Sequence, residues 1–155
     1  MSKTHSVVIT DTSCIIALTN ANCLFLLNQI YTNIYTTREV ENEFGEPLPE
    51  WFTVTSPSDL NLQRKLEFDI DLGEASAIAL AIEIQADLII LDDLTARDVA
   101  KKLKLNVTGT LGVLVKAKEQ GLITHVKPIL DTLINSDFRI SPELFQIVLE
   151  IVKEN

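Results

Sequence analysis

Leu88-Ile89-Ile90-Leu91 is an unbroken apolar run with helix-patterned sequence on both sides. A strand with one wet face would alternate polar and apolar residues. This one does not, so it has to be covered on both faces. That requirement selects a mostly parallel sheet with helices above and below it. Upstream, Ala75 to Ile82 is apolar nearly all round, which predicts a helix from Glu74 to about Ile84 buried on most of its circumference. Downstream, the pattern predicts a helix from about Leu94 to Leu103.

The same alternation runs through the chain. Ser6-Val7-Val8-Ile9-Thr10 reads as a first strand, and Asp11-Thr12-Ser13 turns it into a helix carrying Cys14 to Leu18. Leu24 to Ile30 is a second helical segment. Ile34-Tyr35-Thr36 reads as a strand, and Thr36-x-x-Glu39 has capping-box spacing for a helix to about Phe44. Two prolines make Gly45 to Pro49 a loop. Trp51 to Thr55 is strand-like, Leu60 to Leu66 helical, and Asp69 to Gly73 a second loop. Asn106-Val107-Thr108 is a short strand, and Gly109 to Gly112 opens a helix reaching about Glu119. Two helices close the chain. Val126, Ile129, Leu130, Leu133 and Ile134 stripe the first. Ser141-Pro142 starts the second, striped by Leu144, Phe145, Val148, Ile151 and Val152. The expectation is an α/β three-layer sandwich, its mostly parallel sheet flanked by helices. It forms one domain over residues 1–155, with the closing helices (about 124–154) packed on it.

Met1 to Ser6 carry one Lys and lead into the apolar run Val7-Val8-Ile9, too brief for a signal peptide or a membrane span, so a soluble cytoplasmic protein is expected. Cys14 and Cys23 sit in apolar sequence and read as buried thiols. With His5 and His125 they form no zinc-like spacing.

In sheets of this kind the ligand crevice lies outside the carboxyl ends of the strands. Asp11 follows the first strand and Asp92-Asp93 follow the apolar one, so all three are expected at that edge. Singly, Asp11 or Asp92 is explained by helix capping. Glu43, between Val40 and Phe44, is turned toward the packed side of its helix, although a lone Glu is usually a surface residue. Glu74 shares a face with Ile78, Ala81 and Ile82, where a carboxylate needs something to offset its charge: a helix dipole or a metal ion. Jointly, clustered carboxylates repel unless a cation neutralises them, and hard oxygen ligands select Mg²⁺ or Mn²⁺.

The strand ending in Asp11-Thr12-Ser13, the Val40-x-x-Glu43-Phe44 step, Gly73-Glu74-Ala75 with its Ala-rich helix, and Leu91-Asp92-Asp93-x-x-x-Arg97-x-x-Ala100 resemble the PIN-domain family over about Val7 to Gly121. The likeness is greatest to a branch known mainly as predicted nucleic-acid-binding proteins, similar to VapC-like nucleases of toxin–antitoxin pairs. The resemblance implies a Mg²⁺- or Mn²⁺-dependent ribonuclease whose metal-binding acids are Asp11, Glu43, Glu74 and Asp93, with Asp92 sharing or replacing Asp93. The chain departs from the pattern at Ser76, where many members place an Asp before the Ala-rich run. Glu74 is then either an equivalent or a substitute.

A formal net charge of −9 sits awkwardly with phosphate binding. Its distribution helps, since Arg97, Lys101, Lys102, Lys104, Lys116 and Lys118 lie in one stretch against a single acid, Asp98. Arg97, Lys101 and Lys104 are candidate contacts to the nucleic-acid backbone, although such a run can equally be a solvated face and Arg97 can pair with Asp93. RNA is the expected substrate, with single-stranded DNA as the variant, and an antitoxin and a second copy of the chain are the expected protein partners. The competing reading is a catalytically inactive nucleic-acid- or protein-binding module with a degenerate acidic pocket. A phosphoacceptor receiver domain would want its paired acids early, and here the pair comes late.

Overall fold

The computed structural model describes residues 7–155, so Ser6 of the expected first strand, His5 and the rest of the leading segment lie outside the described residues. The strands are β1 (Val8–Thr10), β2 (Ile34–Thr36), β3 (Phe52–Val54), β4 (Leu88–Ile90) and β5 (Val107–Thr108), all parallel in the order β3-β2-β1-β4-β5. The helices are α1 (Thr12–Asn20), α2 (Leu26–Ile30), α3 (Arg38–Phe44), α4 (Leu60–Leu66), α5 (Leu72–Glu83), α6 (Leu94–Lys102), α7 (Thr110–Glu119), α8 (Lys127–Asn135) and α9 (Pro142–Ile151). The α/β sandwich with a parallel sheet is therefore the observed architecture.

Residues adjacent in a strand face opposite ways, and here that periodicity sorts the interior into two cores. Val8, Ile34, Leu88 and Ile90 pack with α1, α2, α7, α8 and α9 on one face. Ile9, Ile89 and Leu91 pack with α5 and the Ala96 and Ala100 side of α6 on the other. The unbroken apolar run of β4 is the sequence imprint of this double coverage, and all of Leu88 to Leu91 is buried. Both cysteines are buried and free. Among the described residues no helix is long and apolar enough to cross a membrane.

Several boundaries differ from expectation for identifiable reasons. The residue capping α3 is Thr37, whose hydroxyl accepts from the Val40 amide at 3.0 Å, not Thr36. Thr36 instead donates to the Thr10 carbonyl at 2.8 Å, tying β2 to β1. Helix α5 begins at Leu72 because Asp71 caps it, so the second loop is shorter than expected. Helix α2 starts only at Leu26, Leu24 and Phe25 forming turn. On α9, Val148, Leu149 and Val152 are buried while Leu144, Ile147 and Ile151 face outward.

Candidate functional site

The chain runs outward from β1 to β2 and β3, then returns to β4 and β5 on the other side. The strand order therefore reverses between β1 and β4, and this switch point is where a crevice opens at the carboxyl edge of a parallel sheet. The ladder continues one step past the strands, through Asp11 N–H to the Ile90 carbonyl at 3.2 Å and Leu91 N–H to the Thr108 carbonyl at 2.9 Å. Asp11, Asp92 and Gly109 are thus delivered side by side.

Asp11 is 2% exposed and caps α1, accepting from the Cys14 amide at 3.0 Å and from the Asp92 amide. Burial raises its pKa well above the ordinary carboxylate value. The neighbouring Asp92 charge adds to the rise, and the amide hydrogen bonds only partly oppose it. Among the described residues the one ion pair joins Lys118 and Glu154, so no basic side chain within 4 Å offsets Asp11.

Asp92 is a structural hub. Its Oδ1 accepts from the Thr110 amide at 2.7 Å, and its Oδ2 accepts from the Thr110 hydroxyl at 2.6 Å and the Ser13 hydroxyl at 3.1 Å. It thereby caps α7 from outside, in place of Gly109, which has no side chain to do so. Gly109 is required there by crowding: a Cβ would stand 2.9 Å from Asp92 Oδ1 and 2.7 Å from Arg97 Nη1. Thr110 is the site residue that sequence reasoning passed over. Its signal was the Gly109-Thr110 pair immediately after the last strand, the same strand-to-helix turn that flagged Asp11.

Asp93 is exposed and caps α6 through the Ala96 amide at 3.0 Å. Arg97 does not pair with it; its Nη1 donates to the Leu91 carbonyl at 2.9 Å, beside Asp92 and Gly109. Lys101 and Lys104 are exposed, at and beyond the far end of α6. At about 1.5 Å per residue the helix carries Lys101 roughly 12 Å from Asp93.

Glu74 is half-buried rather than enclosed, and it is the third helical residue of a capping box. The Glu74 amide donates to Asp71 Oδ1 at 2.8 Å, and the Asp71 amide donates back to Glu74 Oε1 at 3.3 Å. Burial, then the charges of Asp71 and Asp93, push the Glu74 carboxyl up to about 7.

Glu43 is exposed, yet its carboxylate leans over the start of α5. A Cβ on Gly73 would stand 3.3 Å from Glu43 Oε2 and 3.4 Å from the Thr12 hydroxyl. Gly73 thus lets α3, α1 and α5 meet. Behind it runs a closed hydroxyl chain: the Val40 amide donates to Thr37 Oγ1, Thr37 and Ser76 share a contact of 2.7 Å, and Ser76 donates to the Gly73 carbonyl at 2.7 Å. Because the Ser76 proton is committed to Gly73, Thr37 is the donor between them.

Asp11, Asp92, Glu74 and Asp93 therefore stand at the starts of neighbouring helices and feel one another's charge, with Glu43 alongside. Among the described residues no three acidic, histidine or cysteine side chains converge as a ready-made ligand shell. Capping bonds tie Glu74 and Asp93 each to the start of its own helix. The donor chemistry nonetheless suits a hard divalent cation: a buried Asp11 beside Asp92 with no basic side chain of the described residues within 4 Å of either, and a buried Thr12 hydroxyl with no hydrogen-bond partner.

A sequence profile described as the PIN domain matches residues 7–154. The chain belongs to the PIN-domain family. The match runs through the two closing helices, further than the motifs alone reach. PIN domains are generally nucleases, and their fold is a nuclease-type fold that implies nucleic-acid binding. A comparison with curated proteins found no match.

Proposed function

We propose that this PIN domain is a divalent-metal-dependent ribonuclease, with Asp11, Glu43, Glu74 and Asp93 as the catalytic acids and Asp92 as a further metal ligand. The observation that carries the reading is the buried Asp11 carboxylate beside Asp92 at the strand-order reversal, raised in pKa and without a basic neighbour within 4 Å. Mg²⁺ or Mn²⁺ bound there would lower the pKa of a coordinated water and stabilise charge on the attacked phosphate. The protein's own part is to fix Asp11 and Asp92 rigidly through their amide and hydroxyl donors and to present Glu43, Glu74 and Asp93 on surrounding helix turns. Glu74 and Asp93 would leave their caps to join the set. Arg97 stands at the same edge, and Lys101 and Lys104 extend a basic track along α6 for the backbone of the bound strand.

Asp11→Asn keeps the shape and removes the central charge, so it should abolish cleavage of single-stranded RNA by purified protein in Mn²⁺. Equal cleavage by both forms would refute the assignment, and single-stranded DNA run in parallel separates the two substrates.

The proposal extends to a cytoplasmic toxin held by an antitoxin. Its test is whether a small adjacent reading frame encodes a DNA-binding protein that blocks cleavage. The outward Leu144, Ile147 and Ile151 of α9 support a homodimer, which light scattering would reveal.

A second reading is favoured by one specific observation. Asp92 spends both oxygens on Thr110 and Ser13, and Glu74 and Asp93 are consumed as caps. A catalytically inactive nucleic-acid- or protein-binding module would look like this, and it predicts no carboxylate-dependent Mn²⁺ binding by calorimetry.

A further inference from the structure

Beside the acidic edge, between α1 and the turn after α8, lies a cleft of about 290 Å³. Thr12, Ser13 and Glu43 form its side toward the acids; Asn20, Asp137 and Phe138 are on its other walls. Resting on the nuclease reading above, we propose that this cleft seats a nucleobase next to the phosphate being cut, and that it selects bases bearing an exocyclic amine.

Size, charge and polarity all point the same way. The volume is at the bottom of the range for small-molecule sites, roughly 300–1,000 Å³, so it holds one planar ring system and not a folded dinucleotide. Glu43 and Asp137 on its walls repel a phosphate, so the occupant is the neutral part of a nucleotide. Phe138 gives an aromatic surface of the kind on which splayed, single-stranded bases stack. Asn20 offers both a donor and an acceptor, and Asp137 accepts only.

The Thr12 hydroxyl, counted above toward the cation, also borders the cleft. Thr12 is 4% exposed and lines the cleft, yet its oxygen has no hydrogen bond. Asp137 also holds a left-handed backbone, with φ of 69°, uncommon for a residue other than glycine but tolerated by Asp and Asn. It closes α8, and Asp137 is exposed and lines the cleft. A carboxylate acceptor pairs with the amino group at position 4 of cytosine, where uracil instead presents a carbonyl oxygen that repels it.

The test is fluorescence anisotropy with short single-stranded oligocytidylate and oligouridylate RNAs, in Ca²⁺ so that cleavage does not intervene. Wild type should bind oligocytidylate roughly tenfold more tightly. Asp137→Asn, which suits the same backbone, should erase that preference, and Ser136→Trp at the rim should weaken both RNAs. Equal binding of the two RNAs by wild type, or a preference that survives Asp137→Asn, overturns the base seat; so does binding of neither RNA. Cleavage in Mn²⁺, measured on the same samples, separates the readings. Cleavage without a base preference removes the seat alone, whereas a base preference without cleavage keeps the seat and removes the nuclease.

Discussion

Thr110 holds both oxygens of Asp92, its amide on Oδ1 at 2.7 Å and its hydroxyl on Oδ2 at 2.6 Å. One residue thus fixes the carboxylate's position and its plane, and the carboxylate in turn caps α7. Asp92 next contributes its own amide to Asp11. A bond at the end of β5 therefore determines how the acids at the β1–β4 crevice are aligned.

Thr110→Val keeps the shape of a fully buried side chain and deletes the hydroxyl bond to a charged acceptor. It should cost about 1–3 kcal/mol of stability in a urea titration. Ser13→Ala removes the longer, exposed bond to the same Oδ2 and should cost less. A Thr110→Val protein as stable as wild type would show that Asp92 is held by other means.

Glu74 makes stability depend on pH in a definite direction. Its carboxyl titrates near 7 in the folded chain and near the ordinary 4.5 in the unfolded one, so between these values the folded state carries the extra proton. Stability from this group is therefore present below about pH 4.5 and is lost as pH rises toward 7. Asp11 is shifted the same way. Glu74→Gln should flatten the fall in melting temperature between pH 5 and 7. Added Mn²⁺ should raise the melting temperature more at pH 8 than at pH 6, because the cation must displace these protons.

Glu154 works with the opposite sign. Burial alone would raise its carboxyl, but the Lys118 ammonium and the Val126 and Lys127 amides, at 2.7–3.0 Å, outweigh this and hold it at about 2. Its contribution is complete above about pH 4.5 and is lost as pH falls through 2. Glu154→Gln should destabilise by about 1–3 kcal/mol at pH 7, as expected for hydrogen bonds to a charged group. The difference from wild type should shrink in acid, as followed by circular dichroism.

The sheet was legible in the sequence because its strands are short and β-branched and the run at β4 is apolar on both faces, a pattern that survives without any knowledge of partners. Asp11 and Asp92 were legible for a related reason: each closes a strand that had to be interior. Glu43 and Glu74 were harder. Their local patterns named them, but whether a carboxylate is enclosed depends on what stands opposite, and here Gly73 leaves Glu43 open while Asp71 draws Glu74 into a cap. The cleft behind Thr12 could not be read at all. It is formed by α1 meeting the turn after α8, well over a hundred residues away, and no periodicity encodes such a meeting.

The hydroxyl chain from Val40 through Thr37 and Ser76 to Gly73 has a consequence for how this sequence can change. Every link uses its one proton in one direction, so the two side chains form a single inherited unit. An aspartate at position 76 would still accept from Thr37, but it would strip the Gly73 carbonyl of its donor and put a new charge in a fully buried slot. The step is uphill unless position 37 changes with it. The register between α3 and α5, with the acids those helices carry, therefore rests on this pair.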